Sequence, residues 1–79
     1  MERYGLTQAE YDRRLALQGG RCYICGYKDR TKVLQVDHDH ATHKVRELLC
    51  GYCNSALGYV MEDLRILRGM IKYLKDHEE

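Results

Sequence analysis

Residues 22–54 read CYICGYKDRTKVLQVDHDHATHKVRELLCGYCN. The stretch opens on Cys22-x-x-Cys25 and closes on Cys50-x-x-Cys53 followed by Asn54. Each Cys-x-x-Cys turn aims two thiolates at one point, and two such turns supply four soft ligands suited to tetrahedral Zn²⁺. Four thiolates close the coordination shell, so the expected zinc is structural. Two disulfides or unrelated buried thiols are the other readings of four cysteines. The paired spacing and the lack of a secretory leader favour zinc. Residues 26–49, between the turns, have room for one hairpin. Residues 32–37 read as a strand, with Leu34 and Val36 on one face and Val33, Gln35 and Asp37 on the other. Residues 44–49 read as its partner, and 37–43 as a polar connection. A short helix is expected from near Cys50 to Gly58.

Helices flank this segment. Over residues 7–18, Thr7 and Glu10 fit a capping box, Tyr11 and Leu15 share a face, and Gly19-Gly20 stops the helix. From Glu62 to Asp76 the apolar residues Leu64, Leu67, Met70, Ile71 and Leu74 recur at steps of three and four, with Ile66 and Tyr73 widening the stripe. Glu62 and Asp63 would sit in its first turn and Lys72 and Lys75 near its end, as the helix dipole favours. Such a stripe predicts a core-facing helix. The chain has 79 residues, enough for one domain, 1–79. It divides into an N-terminal helix (1–20), a zinc-stapled centre (21–58) and a C-terminal helix (59–79). A core this small is marginal by itself, whereas a structural zinc contributes an apparent ~10–16 kcal/mol.

Thirteen Lys plus Arg against twelve Asp plus Glu give a formal charge of +1. This excludes a passive, strongly basic nucleic-acid binder but not a local basic face. The N-terminal MERYGLTQAE has no apolar leader region, and no apolar run approaches the ~20 residues of a membrane span. The expectation is a soluble, cytoplasmic protein without a membrane partner.

Asp37-His38-Asp39-His40 is a composition for metal binding or proton transfer. The bland reading is a solvated turn with histidine caps. Two features favour chemistry. The cluster lies between the two cysteine turns, so a zinc would fix both ends of its hairpin. Asn54, a poor helix former, follows the last cysteine directly, where its amide oxygen can meet a hard cation. Asp37 and Asn54 give two oxygen ligands with the other positions open, as Mg²⁺ prefers when it also takes phosphate oxygens. Histidine, with an unperturbed pKa near ~6.5, accepts a proton from water at neutral pH, a role open to His38.

The run Leu34-Gln-Val-Asp-His-Asp-His-Ala-Thr, then Lys44-Val-Arg and Leu48-Leu-Cys-Gly-Tyr-Cys-Asn54, resembles the phage recombination endonuclease VII family. Tyr4-Gly-Leu-Thr, Tyr11, Gln18-Gly-Gly-Arg-Cys22, Leu57-Gly58 and Tyr73-Leu74 extend the likeness over nearly the whole chain. The resemblance implies an α+β, ββα-metal (HNH) nuclease fold with a four-cysteine zinc site and flanking helices. It implies that Asp37 and Asn54 bind a catalytic Mg²⁺ or Mn²⁺ and that His38 is the general base. His40 would contact the scissile phosphate or support the metal. The products would be a 5′-phosphate and a 3′-hydroxyl, and the source a phage or prophage. His43 and Glu47 stand where the family pattern has glycine. A turn glycine often holds φ > 0, which His tolerates better than most residues. Glu47 either brings a negative charge near phosphate or faces solvent.

DNA is the expected partner. Lys44 and Arg46, with Arg21, Lys28, Arg30 and Lys32 around the first cysteine turn, are candidate phosphate contacts, and phosphate contacts position DNA without reading sequence. The competing readings are a zinc-dependent nucleic-acid-binding module without catalysis and a zinc-organised protein-interaction domain. The trio Asp37, His38 and Asn54 separates the nuclease from the first. An exposed apolar patch, for which Tyr23, Tyr27, Tyr52 and Tyr59 are candidates, would mark the second. The sequence leaves the oligomeric state open.

Overall fold

The computed structural model describes residues 2–3, 5–28 and 33–78. Arg30, Lys32 and the start of the expected 32–37 strand lie outside the described residues. The chain begins with a hairpin that the sequence did not signal, β1 (Glu2–Arg3) against β2 (Leu6–Thr7). Gly5 turns it with φ 89°. Thr7 then caps α1 (Gln8–Leu17): its hydroxyl accepts from the Glu10 N–H at 3.1 Å, and its own N–H donates to Glu10 Oε1 at 3.2 Å. The helix ends where Gly19 and Gly20 take φ 65° and 71° and donate to Ala16 O and Leu15 O. This is a Schellman closure that glycine makes without steric penalty.

The central hairpin pairs β3 (Gln35–His38) with β4 (Val45–Leu49) antiparallel, with Val36 opposite Leu48 and His38 opposite Val45. Asp37 alone therefore faces the two residues Arg46 and Glu47, a β-bulge carried on β4. The bulge corrects the simple alternation read from sequence. Val33 and Gln35 are exposed and Leu34 and Val36 buried, as alternation requires, but Asp37 is buried too, at 7% exposure. In the connecting turn Asp39 accepts from the N–H groups of Ala41 and Thr42, both at 2.9 Å. His43, in the glycine position, holds φ 62°.

Helix α1 lies along the β4 edge. The Gln18 carboxamide accepts from Leu48 N at 3.0 Å and donates to Leu48 O at 3.0 Å, bonding the edge as another strand would. Arg14 donates to Arg46 O at 2.7 Å and pairs with Glu47 at 3.1 Å. Glu47 is thus tied to α1 as a partly exposed ion-pair partner. Tyr11 Oη donates to Leu34 O at 2.7 Å. The core beneath these contacts is Leu6, Tyr11, Cys22, Leu34, Val36, Leu48, Leu49 and Cys50.

Helix α2 (Gly51–Tyr59) starts at once after β4, capped by Cys50. It closes with Met61 N–H on Gly58 O and Glu62 N–H on Leu57 O, a second Schellman motif. Here Met61 and Glu62, not glycines, hold φ 56° and 54°. Asp63 caps α3 (Leu64–Asp76). Glu62 therefore precedes the helix and Asp63 is its N-cap, instead of both lying in the first turn.

The expectation of a core-facing last helix also needs correction. No residue of α3 is buried, and Leu64, Met70, Ile71, Tyr73 and Leu74 are exposed. Leu67 and Met70 border an open apolar hollow of about 290 Å³ with Ile24, Leu57 and Val60. Periodicity reports that a face is apolar, not that this chain covers it. Tyr23, Tyr27, Tyr52 and Tyr59 are exposed as well. Among the described residues no helix is long and apolar enough to cross a membrane.

Candidate active site and metal cluster

Three consecutive elements, β3, β4 and α2, position both candidate sites. The four cysteines come from two local turns. In the first, Gly26, with φ 72°, donates to Cys22 O, and Cys22 N–H donates to Tyr27 O. In the second, Cys50 caps α2 and its Sγ accepts from Cys53 N–H at 3.4 Å. The core packs these turns together, so the Sγ atoms of Cys22, Cys25, Cys50 and Cys53 all lie within 4.8 Å of one another. All four cysteines are free, which sets aside the two-disulfide reading.

Burial pushes the Cys22 thiol up, but the backbone N–H groups of Cys25, Cys50 and Ile24 outweigh it and bring the pKa down to about 6. Burial, then the neighbouring sulfurs, push Cys53 up to about 12. One sulfur is thus ready to be a thiolate while another resists adding charge beside it. A bound cation resolves that conflict, and four convergent thiols fit a soft metal ion.

Asp37, His38, His40, His43 and Asn54 line one open cleft of about 480 Å³, with Gly5 and Val36. Asp37 and His38 come from the end of β3, His40 and His43 from the turn, and Asn54 from the first turn of α2. The structure therefore brings together every candidate catalytic residue named from sequence. Oxygen donors from Asp37 and Asn54 at one solvent-filled cleft fit a hard divalent cation that keeps several waters.

Four features of this site had no signal in the sequence. Asn54 Nδ2 donates to Gln35 Oε1 at 2.7 Å, and the planar amide turns Asn54 Oδ1 away from Gln35. Gln35, read only as a strand residue, thereby orients the proposed ligand. Gly5 brings the N-terminal hairpin to the cleft, where a Cβ on it would lie 3.8 Å from His38 Nε2. Arg46 donates through Nε to Asp37 Oδ2 at 2.5 Å. Its Nη2, buried, lies 2.8 Å from Glu62 Oε1 but off the N–H direction, a charge contact more than an aligned hydrogen bond. The bond to Asp37 chiefly, then the contact with Glu62, raise the already high Arg46 pKa further against the opposing effect of burial. Glu62 Oε2 lies 3.0 Å from His40 Nδ1.

The Arg46 guanidinium pairs with two carboxylates, Asp37 and Glu62. Arg21 donates to Gly26 O at 3.2 Å and braces the first cysteine turn. Lys44 and Lys28 are exposed.

The chain thus combines a small α+β fold, a cluster of four thiols that could bind a metal, and a cleft of acid, imidazole and amide groups. The recombination endonuclease VII family model matches residues 1–76. The Gene 59 protein of Mycobacterium phage D29 is 46% identical over 74 residues, covering 91% of this chain and 45% of that protein. The Gene 59 protein of Mycobacterium phage L5 is 45% identical over 73 residues, covering 90% and 44%. The chain belongs to the recombination endonuclease VII family, and it spans under half the length of these two relatives.

Proposed function

We propose that this chain is the catalytic unit of a divalent-metal-dependent DNA endonuclease of the ββα-metal (HNH) type, stapled by one Zn²⁺ on Cys22, Cys25, Cys50 and Cys53. One observation carries the reading: Asp37, His38, His40 and Asn54 meet at a single cleft on a β-hairpin followed by a helix. Membership of an endonuclease family supports it.

In this reading Asp37 and Asn54 hold Mg²⁺ or Mn²⁺, with Gln35 fixing the Asn54 amide. A bound ion would supply positive charge that offsets the negative charge developing in the transition state. His38 takes a proton from a water molecule whose oxygen forms the new bond to phosphorus. The P–O3′ bond breaks, leaving a 5′-phosphate and a 3′-oxygen that picks up a proton from solvent. His40, at the exposed rim, meets the phosphate. Lys44, Lys28, Arg21 and Arg46 are the described candidates for backbone contact. Contacts of this kind position the DNA backbone without reading bases, so cleavage has low sequence specificity in this reading.

The test is a nicking assay on supercoiled plasmid with Mg²⁺, Mn²⁺ or EDTA, using zinc-loaded protein beside a His38→Ala control checked for zinc content and folding. Metal-dependent nicked and linear products that disappear in the control support the assignment. If no metal gives cleavage of plasmid or branched DNA, the catalytic reading falls. A zinc-stapled nucleic-acid-binding module then replaces it.

A further inference from the structure

The wall behind the cleft carries an unusual backbone. Met61 and Glu62 both adopt left-handed φ without being glycine, and each such residue costs roughly 1–2 kcal/mol. A single left-handed position suffices to end a helix. The second sets Glu62 so that its carboxylate reaches Arg46 Nη2 at 2.8 Å and His40 Nδ1 at 3.0 Å. Arg46 in turn holds Asp37 Oδ2, and it does so from the β4 bulge, which places it directly opposite Asp37.

The charges explain why a second carboxylate is useful there. Asp37 is buried and needs a positive partner. Arg46 supplies one, but a lone Asp37–Arg46 pair is neutral and attracts an incoming cation less than an unpaired carboxylate does. With Glu62 beside Nη2 of the same guanidinium, the group regains one net negative charge, and the Arg46 charge is shared between two carboxylates. Arg46 occupies Asp37 Oδ2, and Asp37 lines the cleft.

We propose that Glu62, acting through Arg46, is a positioning residue that readies Asp37 for a divalent cation. The proposal rests on the reading of the cleft as a cation site. It also accounts for the strained turn, which trades backbone stability for the placement of one carboxylate.

The experiment is Mn²⁺ binding to zinc-loaded protein, followed by the loss of the free-ion electron paramagnetic resonance signal, with thermal unfolding measured in parallel. Glu62→Gln is expected to weaken Mn²⁺ binding roughly tenfold, the scale of one charge acting on a divalent ion through partly wet protein. Glu62→Gly is expected to weaken it as much while leaving Tm equal or higher, because the strain is relieved; a merely structural residue would lower Tm instead. In an Arg46→Met background, Glu62→Gln should have little further effect. Unchanged binding in Glu62→Gln, with binding abolished in Asp37→Ala, overturns the proposal and leaves the cation site standing. Wild-type binding in Asp37→Ala overturns the cation site and the proposal with it.

Discussion

Gln35 and Tyr11 show how much one hydrogen bond decides here. Gln35 lies exposed on β3, yet its side-chain oxygen holds the Asn54 amide. Gln35→Leu should leave Tm within a degree or two and weaken Mn²⁺ binding several-fold, read by the same resonance titration. An unchanged affinity would show that Asn54 needs no such orientation. Tyr11→Phe acts on stability instead. It removes the buried donor to Leu34 O and should cost about 1–3 kcal/mol in urea unfolding, because the carbonyl is left unsatisfied. At this scale the sequence identified Asp37, His38, His40 and Asn54 because acid, imidazole and amide groups carry recognisable chemistry. Gln35 and Glu62 escaped, since their roles depend on partners 19 residues away for Gln35 and on Arg46 and His40 for Glu62.

Elements were legible where the signal is local. The α1 capping box and Gly19-Gly20 stop lie where Thr7, Glu10 and the glycine pair put them. The cap also titrates. The Thr7 hydroxyl and then the Thr7 N–H hold the Glu10 carboxyl below its ordinary value, with Arg13 and Arg14 assisting against slight desolvation. A depressed carboxyl stabilises the fold fully above its unfolded pKa, and the contribution is lost as pH falls through the folded one. The Thr7 amide should therefore lose protection on the acid side of the carboxylate range, and Glu10→Gln should abolish that pH dependence, as amide exchange would show. The α2 exit behaves oppositely to intuition. Met61→Gly relieves a left-handed strain of about 1–2 kcal/mol against a backbone-entropy cost of about 0.5–1 kcal/mol. Tm should rise by a few degrees, and a fall would show that the exposed Met61 side chain contributes packing.

For the whole molecule, the metal cluster and the core are one structure. Cys22 and Cys50 belong to the buried core, and Cys25 and Cys53 pack against it. Stripping the metal with a strong chelator should remove cooperative unfolding and near-UV dichroism together, and mass spectrometry of the native protein should find one zinc per chain. A chelated protein that still unfolds cooperatively would show that the hydrophobic contacts suffice alone.

Composition, spacing and local propensity determined the helices, the hairpin, the paired thiol turns and the set of polar residues between them. These features are encoded within a few residues of one another, where backbone geometry allows little choice. Only the tertiary structure decided that Asp37 is buried, that Arg46 faces inward to two carboxylates, and that the apolar stripe of α3 stays uncovered. Each depends on register and on which surfaces meet. One extra residue in β4 redirects Asp37 and Arg46, and a periodic pattern is the same whether or not a partner surface covers it.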